Sequence, residues 1–153
     1  MPLQTTTIGA YPKPECTPVR DWFLAHMTEE DRKASPGLLG NWAPGEYERA
    51  LESAGDKAET LFLEATKQII DDQVGAGVDI PTDGEVRREN YIFYQCRRLK
   101  GVSFDTVTHK SVRQGAFEAD LPTIVGPVSL AETRLAEDWK VAQQFTANPV
   151  KIT

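Results

Sequence analysis

Cysteine is scarce: Cys16 and Cys96 are the only two in 153 residues, far apart and in no C-x-x-C pattern. That excludes a disulfide framework and fits a reducing compartment. Histidine is as rare. His26 and His109, taken with the two cysteines, show none of the short spacings of a zinc site, so no metal-ligating residues are expected within the chain. No apolar run approaches the ~20 residues that a membrane helix requires. The opening Met1-Pro2-Leu3-Gln4-Thr5-Thr6-Thr7 lacks a basic segment followed by an apolar core. A secretory signal is therefore not expected, and a cytoplasmic location is. Positive charge is in deficit, with 17 basic against 23 acidic residues, a net charge of -6 and a pI near 5.0. This balance argues against nucleic acid or an anionic membrane as the main partner. The sequence contains no G-x-G-x-x-G, P-loop or G-x-S-x-G, so dinucleotide, nucleotide and serine-hydrolase readings lack support. Internal repeats and low-complexity tracts are absent too.

What remains is an ordinary globular composition, 40% hydrophobic and 26% charged. By length, residues 1–153 are expected to form a single domain with a real core. Thr6-Thr7-Ile8 reads as a short strand stopped at Gly9, and the prolines in Ala10-Tyr11-Pro12-Lys13-Pro14 forbid a continuing ladder. Thr17-Pro18 opens a short helix through Arg20, Trp22, Phe23 and Met27, ended by Ser35-Pro36-Gly37. Tyr47, Leu51, Ala54, Ala58, Leu61, Ala65 and Ile69 recur at intervals of four and three, which makes one apolar helical stripe. Gly55 predicts a bend inside that helix, and Gly75 or Gly77 suits its left-handed end.

A strand Val78 to Ile80 follows, then a helix over Val86 to Leu99. Loosely extended pieces cover Lys100 to Asp120, and Pro122-Thr123-Ile124-Val125 gives another strand. Ser129-Leu130-Ala131-Glu132 has the pattern of a capping box for a helix to about Ala147, and Val150-Lys151-Ile152-Thr153 begins a last strand. Such alternation implies an α/β fold with parallel strands and helical crossovers. The expectation is the N-terminal part of a (β/α)8 TIM-type barrel, truncated to about half of a fold of typical length ~250 residues.

The most informative stretch is Gly77-Val78-Asp79-Ile80-Pro81-Thr82-Asp83-Gly84-Glu85-Val86-Arg87-Arg88-Glu89-Asn90. It carries a strand into a tight turn and delivers the Glu85 carboxylate at the mouth of a helix, where barrel ligands bind. Glu85 can accept a hydrogen bond from a ligand amine; equally, it can be a plain helix-start glutamate worth about 0.5 kcal/mol. Asp83 reads as the turn residue. Asp79, inside the strand, is expected to face core or barrel lumen, either functional or paired with an arginine. Arg87, Arg88, Arg97, Arg98 and Arg113 could hold a polyanionic substrate tail. The commoner use of such residues is a helix face paired with Glu85 and Glu89. Tyr91, Phe93 and Tyr94 read as packing residues, as do Trp22, Trp42 and Trp139.

Three segments, taken in order, carry a resemblance. Thr5-Thr6-Thr7-Ile8-Gly9-Ala10-Tyr11-Pro12, then Gly77 through Tyr91, then Pro122-Thr123-Ile124-Val125-Gly126-Pro127 resemble the catalytic barrel of the cobalamin-independent methionine synthase family. The resemblance implies methyl transfer from methyltetrahydrofolate to the thiol of homocysteine. It also implies that the amino acid is held by the backbone of Ile8, Gly9 and Ala10, with Glu85 on its amino group. Alanine at position 10 stands where the family has serine, so a hydroxyl contact is lost. The family's zinc ligands, a His-x-Cys pair, a glutamate and a distant cysteine, are expected beyond Thr153. No catalytic residue would then lie in this chain, which alone should not turn over. The alternative is a non-catalytic binding or assembly half-barrel that associates with itself or another chain through exposed edges. A related barrel enzyme, such as a decarboxylase or a methyltransferase acting on another thiol, is a third reading.

Overall fold

The computed structural model describes residues 3–19, 30, 45–112, 114 and 117–153. The helix expected through Arg20, Trp22, Phe23 and Met27 lies outside them. The chain divides into two compact units. The first comprises Met1–Val19, Ala54–Arg87 and Thr133–Thr153, and the second Arg20–Ser53 and Arg88–Glu132.

Helix α1 spans Glu46–Ala54, one 3-10 turn covers Gly55–Lys57, and α2 spans Ala58–Gly75. The break falls at Gly55, whose φ of +53° departs from the negative values of a right-handed helix. Along α2 the buried face is Phe62, Ala65, Thr66, Ile69, Ile70 and Gln73, a 3- and 4-spaced stripe. The helix ends as a Schellman motif. Gly77, at φ +84°, donates to the Val74 carbonyl at 3.0 Å, and Val78 donates to the Gln73 carbonyl at 2.9 Å.

In the first unit α2 buries Ala65 and Ile69 against Val86, with Tyr11 and Cys16 at the margin. On its other flank Ile70 packs with Ala142 and Val150, beside Phe145. Ala142 belongs to α4, Leu135–Gln143. Three extended segments lie alongside. Thr6 bridges Ile80 and Thr82 bridges Lys151, both in parallel sense. The backbone bonds are Ile80 N–H to the Thr5 carbonyl at 3.0 Å and Lys151 N–H to the Pro81 carbonyl at 2.9 Å. Gln143 secures the approach to the third segment: its amide nitrogen donates to the carbonyls of Thr146 and Asn148, and its oxygen accepts from Val150 N–H.

The second unit is built on a hairpin. Strand β1, Leu99–Val112, pairs antiparallel with β2, Phe117–Leu130, with register shifts between Lys100 and Val102 and between Ser103 and Val107. Gly101 sits at the first shift with φ +80°, and a Cβ there would meet the Pro127 carbonyl oxygen at 2.4 Å. The short helix α3, Tyr91–Cys96, is capped by Asn90, whose side chain accepts from the Ile92 and Phe93 amides. Phe93 packs edge-on against Phe104 at 5.7 Å between ring centres.

The fold is therefore α/β, but the hairpin corrects the expected chain order. Pro122-Thr123-Ile124-Val125 is not a parallel strand: Thr123 and Ile124 pair with Ser103 and Val102 across the hairpin. The helix expected from Ser129 starts at Leu135, because Ser129 and Leu130 are held in β2 by Lys100 and Leu99. The helix expected from Val86 starts instead at Tyr91, where Asn90 supplies the cap. Among the described residues, parallel pairing is confined to the two bridges, and no helix is long and apolar enough to cross a membrane.

Candidate functional site

In the first unit the N-terminal segment is stitched to the stretch 77–85 by side chains that sequence reasoning did not single out. Thr82 is fully buried, and its hydroxyl donates to the Gly9 carbonyl at 2.9 Å while accepting from Gly84 N–H at 3.2 Å. Buried Gln73 clamps the Thr82 backbone from α2, accepting its N–H at 3.0 Å and donating to its carbonyl at 2.9 Å. The Tyr11 amide then donates to the Gly84 carbonyl at 3.1 Å. A glutamine on the buried face of a helix was the one available signal, since a buried amide must find partners.

The Asp-Gly turn forms as expected. Gly84 has φ +67°, and the Asp83 carboxylate accepts the Glu85 amide at 3.2 Å, an Asx turn. Glu85 itself lies at φ +55°, in the left-handed region that non-glycine residues rarely occupy. It is not at the mouth of the helix that follows, since α3 begins only at Tyr91. Its carboxylate is instead held by Thr153, whose hydroxyl donates to Oε1 at 2.8 Å.

Gly9 completes the arrangement. A Cβ at this position would lie 2.6 Å from Thr153 Oγ1 and 2.7 Å from Glu85 Oε1. Glycine thus lets a carboxylate and a hydroxyl close directly over the main chain. Gly9 is buried and Ala10 half-buried, whereas Ile8 turns its side chain into solvent at 95% exposure. Any role for Ile8 here falls to its backbone. The Thr7 carbonyl, one residue earlier, accepts from Lys151 Nζ at 2.6 Å.

Asp79 does not face a core or lumen. It is exposed and accepts from the Thr5 amide and hydroxyl at 2.8 and 2.9 Å, contacts that hold its carboxyl below the usual range. Its partner is a threonine, not an arginine. Of the arginines singled out from the sequence, Arg87, Arg97 and Arg98 are engaged by carboxylates, Arg88 lies 5.6 Å from the centre of the Tyr94 ring, and Arg113 lies outside the described residues. Arg87 binds Glu59 through two nitrogens at 2.8 and 2.6 Å, lies 3.8 Å from buried Asp138, and stacks over Phe62. In the second unit Arg97 pairs with Glu48 and Glu89 between Tyr47 and Phe104, and Arg98 faces Glu132 at 3.7 Å.

Hydrogen bonds from these arginines are the main cause of lowered pKa values at Glu59 and Glu48, whose ordinary value is 4.5. A carboxylate depressed by folding adds stability above its unfolded pKa and loses it as pH falls through the folded value. Stability should therefore decline below about pH 4.5. Each pair is half-exposed on the glutamate side, so each contributes no more than about 1 kcal/mol. Melting curves between pH 6 and 3 should show a shallower acid decline in Glu59→Gln than in the unmodified chain; equal slopes would remove Glu59 from the account.

Among the described residues no group of three His, Cys, Asp or Glu side chains could hold a metal ion. Burial pushes both cysteine thiols, Cys16 and Cys96, up from their ordinary value. These residues do not fit a zinc site.

Comparison with known proteins converges on one family. Residues 45–152 match the family model described as cobalamin-independent synthase, catalytic domain. Methionine synthase of Saccharolobus solfataricus is 29% identical over 154 residues, covering 99% of this chain and 38% of that protein. The methionine synthase of Saccharolobus islandicus (strain Y.N.15.51) is 30% identical over 102 residues, 67% of this chain and 24% of that protein. Among solved structures, the B12-independent methionine synthase from Shewanella sp. W3-18-1, in complex with selenomethionine, superposes with a TM-score of 0.69 at 27% identity. That match covers 98% of this chain and 37% of the other. The chain spans well under half the length of these relatives. With a family match over most of its length, this chain belongs to the cobalamin-independent synthase catalytic-domain family.

Proposed function

We propose that this chain forms the amino-acid-binding part of a methionine-synthase-type methyltransferase site, serving methyl transfer from methyltetrahydrofolate to the homocysteine thiol. In this reading the backbone of Ile8, Gly9 and Ala10 holds the amino acid and the Glu85 carboxylate receives its ammonium group. The observation that carries it is the closure of Glu85 over Gly9, with Glu85 Oε1 2.7 Å from where a Gly9 side chain would begin. An anionic oxygen beside bare backbone suits a zwitterionic ligand, which offers a cation to one and a carboxylate to the other. The Shewanella relative's complex with selenomethionine, an amino acid, supports this ligand class.

The parallel-bridged segments at Thr6, Ile80–Thr82 and Lys151 are read as the first strands of a (β/α)8 barrel, with the β1–β2 hairpin inserted between the second and third. Zinc, when bound by a longer family member, keeps the homocysteine sulfur as thiolate. Its ligands are assigned to none of the described residues; the role of this chain is to bind and orient the amino acid. A cytoplasmic location goes with this reading.

Homocysteine and its counterpart without the amine, 4-sulfanylbutanoate, test the assignment. Calorimetry should show the amine-bearing ligand binding about tenfold or more tightly, the value of one charge-assisted contact. Equal affinities would leave Glu85 without its role. A second reading, association with another copy of the chain, is favoured by Ile124, Val125, Val128 and Leu130, all about half or more exposed on β2. Sedimentation velocity at rising concentration distinguishes it: a single monomeric species would rule it out.

A further inference from the structure

We propose that Thr82 is a positioning residue for carboxylate recognition: its hydroxyl holds the Gly9 carbonyl from the buried side and so aims the Ala10 amide at the carboxylate of a bound amino acid. This rests on the amino-acid-binding reading above. Gly9 and Ala10 carry no polar side chain, so whatever they offer a ligand carboxylate comes from the main chain. Glycine at position 9 admits the close approach of Glu85 and Thr153. It also leaves the plane of the following peptide free to turn. An amide serves as a directed donor only once that plane is fixed.

The Thr82 hydroxyl fixes it. A hydroxyl has one proton, and its partners decide where that proton goes. Gly84 N–H can only donate and reaches Thr82 Oγ1 at 3.2 Å; the Gly9 carbonyl can only accept and takes the proton at 2.9 Å. In a trans peptide the carbonyl and the next amide point in opposite directions. With the Gly9 carbonyl turned in toward fully buried Thr82, the Ala10 N–H is turned away from it. The next peptide is pinned as well, since the Tyr11 amide donates to the Gly84 carbonyl at 3.1 Å. Ala10 is half-buried, and among the described residues none accepts from its amide. A backbone donor so placed calls for a partner.

An α-amino acid carries its ammonium and carboxylate on one carbon, so the groups that receive them must be neighbours. Glu85 Oε1 lies beside Gly9, and the Ala10 amide begins at the next peptide. Thr82 is itself braced. Gln73 holds its amide and carbonyl from α2, and the Thr7 hydroxyl lies 3.2 Å from its own. The peptide is therefore oriented on folding rather than on binding, and the gain goes to ligands that engage it.

Thr82→Val keeps the shape and removes the hydroxyl, while Thr82→Ser keeps the hydroxyl. The probes are homocysteine and 3-aminopropane-1-thiol, its counterpart without the carboxylate. Their affinity ratio should fall about tenfold in Thr82→Val, the value of one charge-assisted contact, and recover in Thr82→Ser. Binding of 3-aminopropane-1-thiol should not change. In ligand-free labelled protein the residual dipolar coupling of the Ala10 N–H should match the orientation in the structure for the unmodified chain and Thr82→Ser, and depart from it in Thr82→Val. An unchanged ratio or an unchanged coupling in Thr82→Val overturns the proposal. If Thr82→Val does not fold, the unmodified chain decides: homocysteine should shift the Ala10 amide resonance and 3-aminopropane-1-thiol should not, and equal shifts overturn the proposal. Should the unmodified chain fail to prefer homocysteine, the amino-acid reading fails, while the coupling still decides whether Thr82 orients the peptide.

Discussion

Gly84→Ala should lower stability by about 3 kcal/mol, a large share of the 5–15 kcal/mol typical of a folded domain. Two costs add. The residue sits at φ +67°, where a side chain costs about 1–2 kcal/mol. The new methyl would also begin 2.7 Å from Ile69 Cγ2, 2.9 Å from Ile69 Cδ1 and 3.1 Å from Tyr11 Cβ. Ile69 is fully buried in the core formed with Ala65 and Val86, so it cannot move aside without disturbing that packing, a strain of about 1–3 kcal/mol. Thermal denaturation measures the sum. Gly77→Ala isolates the first cost, since Gly77 has φ +84° but nothing within 4 Å of its would-be Cβ. Equal destabilisation by the two substitutions would show that the contact with Ile69 carries no weight.

Gly9→Ala should behave in the opposite way, leaving stability nearly intact and removing homocysteine binding by about a hundredfold. The colliding atoms here are Thr153 Oγ1 at 2.6 Å and Glu85 Oε1 at 2.7 Å. Both are side-chain ends near the surface and can rotate away, and Thr153 Cβ, at 3.3 Å, must give by only a few tenths of an ångström. The fold survives that rotation, but the carboxylate no longer stands over the backbone. Losing the ion-assisted contact and crowding the neighbouring main chain together amount to about 3 kcal/mol of binding. Calorimetry beside a melting curve separates the effects. Binding preserved in Gly9→Ala would mean that the close approach of Glu85 to Gly9 is not the ligand site.

The difference between the two glycines also marks what could be read from the sequence. Features decided locally were legible. The break at Gly55 and the left-handed end at Gly77 are properties of a few neighbouring residues, and each is found. The Asp83-Gly84 turn belongs with them. Of the stripe expected from Tyr47 to Ile69 only Ala65 and Ile69 are buried, joined by Phe62, Thr66, Ile70 and Gln73. Features decided by distant partners were not. Pro122 to Val125 has strand character on either pairing, and only β1 determines that the pairing is antiparallel. Ser129 carries a capping pattern, but hairpin pairing outweighs a cap worth about 1 kcal/mol.

The site divides in the same manner. Gly9 entered through the family resemblance of its segment and Glu85 through its own stretch as well, and the structure sets the two side by side. The Gln73–Thr82 clamp and the Thr153 hydroxyl depend on contacts across much of the chain. Glu85 itself was placed for the wrong physical reason. Asn90, a strong cap two residues before the amide of Ile92, was the signal that the helix starts later.

The measurement that bears most directly on the account is calorimetric titration of homocysteine into this chain and into Glu85→Ala. The account predicts measurable binding to the first and a loss of about 10- to 100-fold in the second, the cost of removing a charge-assisted partner of the ammonium group. Equal affinity for the two proteins, both folded by circular dichroism, would contradict it.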